Sequence, residues 1–373
     1  MAHPLAGADL GTLARVFAAG GAPDRWGTAL GIWGSALGRA PVTVLEQWLH
    51  DRHLPSTQAM PPPIFILGHW RSGTTHLYNT LVHAGWGYVP PVATGLPWEM
   101  FTLARWLRPF LERHLPETRY IDAIPVTPTS PQEDEIAVAN MSPLSFYHGL
   151  YFPKAFDRFL ARGLFFDGCT EAEIAAWETR LIYLMRKLAR HQDRPLLIKN
   201  PVYTARPAHL ARLFPGAKFI HIHRSPFDVF LSMRNFYARL LEQFALQRVP
   251  EGIDIDGAIL RTYVRMMEAF DEQTAGWQAP DFVELPYDLL DTRPMEALAR
   301  IYGALELPGY GETESKFAAY LGSVQSYRKN AFRGDQATVD AVSAACAPWI
   351  ERWGYAAPEL AKLGHAPNSE HAA

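Results

Sequence analysis

Two cysteines, Cys169 and Cys346, are all that 373 residues contain. They stand far apart and no C-x-x-C occurs. MAHPLAGADLG at the amino end has no signal-peptide pattern. A disulfide framework is therefore not expected, and the chain reads as a reduced, cytoplasmic protein. Charge of one sign is also lacking: the formal net charge is -3. Nothing global calls for nucleic acid or an anionic membrane, so anion binding has to come from a local pocket. No window approaches the roughly 18 uninterrupted apolar residues of a membrane span, so no transmembrane segment is expected. The histidines are scattered, H-E-x-x-H is absent, and a metal site has no support; His221 and His223, two apart on one strand, read as packed residues.

What is present is ordinary globular material, 48% hydrophobic and 20% charged. Apolar runs that end in polar residues and pass into helices recur along it. Helical periodicity covers roughly 8–19 and 24–54, and the loop STQAMPPP then marks a boundary. Residues 1–60 are accordingly read as a helical extension. It offers a cap for an acceptor, a homodimer face, a membrane contact or plain packing. Strand, glycine loop and helix follow at Ile64–Leu67, 68–73 and about 74–83, with a short strand at 86–89. Residues 90–170, rich in proline and aromatics, read as an irregular insertion with helical pieces near 98–114 and 132–141. Thr170, with Glu173 three residues on, caps a long helix to Gln192. The runs at 195–198 and 217–222 each lead into helices, near 205–214 and 228–244. A helix near 256–273, a strand at 281–285 and a helix at 294–305 complete the alternation. The expectation is a mostly parallel sheet of about five strands covered by helices on both faces. A domain over 61–335 and a helical tail over 336–373 follow.

The stretch GHWRSGTTHL, Gly68 to Leu77, sets the chemistry. Gly68 and Gly73 sit where a phosphate loop G-x-x-x-x-G-K-S/T has its glycines, but Thr74 replaces the lysine. A glycine turn at a helix start exposes N–H groups suited to phosphate or sulfate. In ATP and GTP enzymes the lysine and a strand-end Asp serve the terminal phosphates and magnesium. Here the cation has moved to Arg71, and Glu284 is the nearest approach to that acid. A metal-assisted triphosphate site fits poorly. A less charged phosphoanhydride, held by N–H groups and the hydroxyls of Ser72, Thr74 and Thr75, fits better.

PPIFILGHWRSGTTHL resembles the 5′-phosphosulfate loop of sulfotransferases that use 3′-phosphoadenosine 5′-phosphosulfate (PAPS), in the form of the bacterial branch and of tyrosylprotein sulfotransferases. FIHIHRSPFDVFLSM resembles that family's 3′-phosphate element. The resemblance spans about 60–335 and implies a P-loop-like three-layer α/β fold, PAPS as co-substrate, 3′,5′-bisphosphoadenosine (PAP) as product, and no metal. By it, Arg71, Ser72, Gly73, Thr74 and Thr75 hold the 5′-phosphate, and Arg224 and Ser232 the 3′-phosphate. Tyr287 lies near the adenine, with Arg328 or Lys329 adding charge. LLIKNP gives Lys199 as a catalytic contact to the bridging oxygen, with Arg71 beside it. An arginine that the tyrosylprotein branch carries four residues after the helix serine is replaced by Phe236, and Arg234 stands nearby. The family's K-T-H histidine is missing, so the base is Glu99 in PWEM by loose analogy, with Glu133, Asp134 and His69 competing. The expected activity is sulfuryl transfer to a hydroxyl or amine of a small, apolar, hydroxylated acceptor, with aromatics of the insertion as pocket candidates. A divergent nucleotide kinase or NTPase, or a non-catalytic nucleotide-binding scaffold, are the rival readings.

Overall fold

Ile64, Phe65, Ile66 and Leu67 are all buried, as a strand is in a sheet covered on both faces. They form β1 (Ile64–Leu67), flanked by β2 (Leu197–Lys199) and β3 (Lys218–His223), with β4 (Phe282–Pro286) at the edge. The order is β2-β1-β3-β4, and every pairing is parallel. The computed structural model describes residues 3–107, 109, 113, 127–324 and 334–358. Among these the sheet has four strands, one fewer than expected. The segment read as a fifth strand, 86–89, makes a single parallel bridge, Gly87 to Leu196. The left-handed turn at Gly85 immediately precedes it.

Alternation sorts the strand side chains into two apolar layers. Phe65, Leu67, Ile198 and Phe219 face a layer that includes Tyr237 of the Pro226–Phe244 helix and Phe270 of the Ile255–Gln273 helix. Ile64, Ile66, Leu197 and Ile220 face α3 (Thr74–Leu81) and the Pro294–Ala304 helix through Leu77, Leu81, Leu298 and Ile301. Phe65 stacks on Phe219 at 5.6 Å. Truncating it to alanine would cost about 3–5 kcal/mol.

The amino-terminal helices, α1 (Leu10–Gly20) and α2 (Trp26–His50), share this core: Leu5, Leu13, Val16 and Ile32 belong to the same apolar cluster as Phe65. Buried ion pairs fasten α2. Arg39 meets Glu99 at 2.8 Å, and Glu46 meets Lys187 at 2.8 Å. The long helix runs Glu171–Gln192, and the reciprocal hydrogen bonds of a capping box join Thr170 and Glu173. Of the helix expected near 98–114, a short piece, Leu103–Trp106, falls within the described residues.

Candidate active site

Four parallel strands deliver their following residues to one edge, and the chemistry-bearing side chains gather there. The β1–α3 loop turns on two left-handed glycines, Gly68 at φ 145° and Gly73 at φ 98°, with Arg71 at φ 69° between them. The glycines are required by space as well as by φ. A Cβ on Gly68 would lie 2.4 Å from the Ile222 carbonyl oxygen, and one on Gly73 would lie 2.1 Å from the Tyr287 ring. The Gly68 N–H donates to Thr204 Oγ1 at 2.8 Å. Ser72 Oγ is buried with no hydrogen-bond partner among the described residues, as is Trp70 Nε1. An unsatisfied buried hydroxyl beside a glycine cradle at a helix start suits a bound oxyanion.

Two contacts knit the loop to elements far away in sequence. Arg71 Nε donates to Ser232 Oγ at 2.7 Å, which joins the loop directly to the helix after β3. Lys199, the last residue of β2, pairs in register with Ile66. Its Nζ reaches Thr75 Oγ1 at 3.2 Å and forms an ion pair with Glu133. Arg224 follows β3; its guanidinium lies 4.8 Å from the Tyr287 ring centroid and donates to Asp228 Oδ2 at 2.9 and 3.1 Å. Asp228 was not singled out in the sequence, although its place four residues after Arg224 in a helix is a legible signal. The expected set Arg71, Ser72, Gly73, Thr74, Thr75, Lys199, Ser232, Arg224 and Tyr287 thus lies on the loop, the strand ends and the helices that follow them. Arg328 and Lys329 fall outside the described residues.

Beneath Lys199 lies a buried polar network that sequence reasoning did not assemble. Asn200 donates to Asp134 Oδ1 at 2.9 Å and to Glu135 Oε2 at 3.0 Å, and the Tyr203 hydroxyl donates to Asp134. Burial raises both acids to about 7, opposed by these hydrogen bonds. A group so enclosed steadies its neighbours, and Asp134 is not free to accept a substrate proton.

Glu99 needs a correction. Both of its oxygens accept from Arg39 Nη1 at 2.8 Å, Thr43 Oγ1 also donates to it, and its side chain is 0% exposed. The carboxylate expected to act as base is an internal anchor for α2 in this structure, and its PWEM setting gave no hint of a partner sixty residues upstream. His69 is buried, its Nδ1 lies 3.0 Å from the Trp70 carbonyl oxygen, and burial lowers it to about 4. Among those competitors, Glu133 forms an ion pair with Lys199. Arg234 is engaged by Asp256 at 2.5 Å and Thr338 at 3.2 Å. Glu284, the nearest stand-in for a magnesium acid, accepts from His221 Nδ1 at 2.8 Å and Trp353 Nε1 at 3.4 Å. Burial would raise it, yet His221 and the nearby cations bring it down to about 2. Among the described residues no cluster of three or more His, Cys, Asp or Glu side chains could hold a metal ion.

Known proteins place this arrangement in a class. A profile of the Sulfotransferase family matches residues 62–312, and the chain belongs to that family. It is an enzyme of the sulfuryl-transferring kind. Among curated relatives it is 29% identical over 327 residues to omega-hydroxy-beta-dihydromenaquinone-9 sulfotransferase Stf3 of Mycobacterium bovis and of Mycobacterium tuberculosis, covering 85% of this chain and 82% of the relative. Sulfotransferase STF9 from Mycobacterium avium shares the fold at a TM-score of 0.66 and 16% identity, over 93% of this chain and 96% of its own. Sulfotransferase STF1 from Mycobacterium tuberculosis H37Rv does so at 0.62 and 18%, over 91% of each.

Proposed function

We propose that this sulfotransferase moves the sulfuryl group of PAPS to the hydroxyl of a small apolar acceptor, and that the loop and the Arg224 helix hold opposite ends of the donor. The observation that carries the reading is the bond between Arg71 and Ser232. It ties the glycine loop to the helix that follows β3 and Arg224, which supports reading the two as grips on one nucleotide with two phosphate ends. In this reading Ser72, Thr74, Thr75 and the loop N–H groups take the 5′-phosphate, Arg224 and Ser232 take the 3′-phosphate, and Tyr287 borders the base.

The acceptor oxygen forms a bond to sulfur as the bond from sulfur to the bridging oxygen breaks. The electron pair stays on the departing 5′-phosphate, giving PAP and a sulfate ester. Lys199 and Arg71 offset the negative charge that grows on that oxygen. Glu133 takes the acceptor's proton. Its side chain is 13% exposed and next to Lys199, so it can be reached by substrate, whereas Glu99 cannot. Little further chemistry is needed, because the transfer is loose and in-line positioning does most of it.

For the acceptor, support comes from the relative whose named substrate is a hydroxylated dihydromenaquinone and from the aromatic surroundings of the loop. Trp70 packs on Phe146 at 4.7 Å, and Phe146 on Tyr147 at 4.5 Å. Incubation with labelled PAPS and a panel of isoprenoid alcohols, phenols, sterols, sugars and peptides tests the assignment. Sulfation of a lipid-soluble alcohol, with PAP inhibiting far more strongly than ATP plus magnesium, is the expected result. Preference for ATP would point to a kinase, and PAP binding without turnover of any acceptor to a scaffold.

A further inference from the structure

Helix α2 is inverted relative to an ordinary surface helix. Apart from His50 at its end, its 25 residues contain two acidic or basic side chains, Arg39 and Glu46, and both point inward, 7% and 0% exposed. Outward stand Trp26, Leu30, Leu37, Val44, Leu45 and Trp48, each between 38% and 67% exposed. Together these six leave on the order of 700 Å² of apolar surface open. That exceeds the largest patch on a typical monomer and approaches the ~800 Å² each partner buries in a standard interface.

Glycine decides what kind of surface this is. Gly27 with Gly31 and Gly34 with Gly38 form two G-x-x-x-G pairs, and a Cβ added to any of the four would meet nothing within 4 Å. At 3.6 residues per turn they fall within about 60° of one another, a shallow channel beside the ridge of Leu30, Leu37 and Val44. Exposed glycine weakens a helix and adds no apolar area, so four in a row are unexpected on a face that meets water or the flat surface of a bilayer. Bare backbone is suited to another helix approaching closely. Channel and ridge lie side by side on one face, so two copies related by a two-fold axis fit ridge into channel reciprocally.

We propose that this face of α2 joins two copies of the chain in an isologous dimer, centred near Gly34 and Gly38. Nothing in the proposal depends on the donor or acceptor. The full chain should sediment at twice its 41.9 kDa mass at roughly 10 µM, a concentration at which ordinary homodimers are formed. Gly34→Leu places a bulky side chain in the channel and should weaken the dimer by at least about 100-fold. Because that side chain meets open space in the single chain and leucine is the better helix former, Tm of the separated subunit should hold or rise. A wild-type chain that sediments as a monomer overturns the proposal, as does a Gly34→Leu variant that stays dimeric. Monomeric wild type that pellets with phosphatidylcholine–phosphatidylglycerol vesicles would assign the face to lipid instead.

Discussion

Two acid–cation pairs, Arg39–Glu99 and Lys199–Glu133, are chemically alike and differ in how far solvent reaches the acid, 0% exposed in Glu99 and 13% in Glu133. In the first, the carboxylate is wholly enclosed, both oxygens are engaged, and the cation also donates to the Ala6 and Ala8 carbonyl oxygens at 2.9 and 2.6 Å. In the second, the lysine ends a strand, its partner is partly open, and a loop hydroxyl lies within reach. The lesson is that a carboxylate near a cation becomes a base only if something outside the protein can also reach it. Desolvation without access makes an anchor.

That contrast can be broken by exchanging which property each pair controls. Lys199→Ala should lower kcat per folded molecule about 1000-fold, since it removes a cation aimed at developing charge. Glu99→Gln should cost about 3 kcal/mol of stability by leaving Arg39 buried and unpaired, while activity per folded molecule stays within a few-fold. Chemical denaturation and steady-state rates separate the two. Glu133→Gln should lower kcat about 100-fold, with PAP affinity retained. If Glu99→Gln lost the turnover and Glu133→Gln did not, the roles assigned here would be reversed.

A smaller effect concerns pH. Asp134 and Glu135 hold their protons to about 7 in the folded chain, well above the 3.8 and 4.5 of free side chains. Between those limits the native state binds more protons than the unfolded one, so stability from these groups is full below about 4 and is lost as pH rises through 7. Asp134→Asn should therefore show a smaller fall in Tm from pH 5 to pH 8 than the wild type. An equal or steeper fall would mean that Asp134 is ionised in its network.

Much of this architecture is legible in the amino acids because the signals are local. The run Ile64–Leu67 into a glycine turn, the Thr170–Glu173 box and the strand-to-helix passage at Arg224 each carry their own geometry within a few residues. The motifs likewise pointed to the loop, Lys199 and Ser232. What they could not supply was partnership over distance. Nothing near Glu99 announces Arg39, and nothing near Glu133 announces Lys199, because both pairings are made by folding over 60 or more residues. The spacing of Arg39 and Glu46, seven apart on α2, did carry a signal. Two charges on one side of an otherwise apolar helix show which side is inward.

One nucleotide held at both ends is the central claim, and differential binding tests it most directly. Calorimetric titration of Arg224→Ala should show PAP weakened by about 2 kcal/mol, roughly 30-fold, while adenosine 5′-phosphosulfate, which lacks the 3′-phosphate, changes by less than about three-fold. Equal losses for the two ligands would place Arg224 away from the 3′-phosphate and contradict the account.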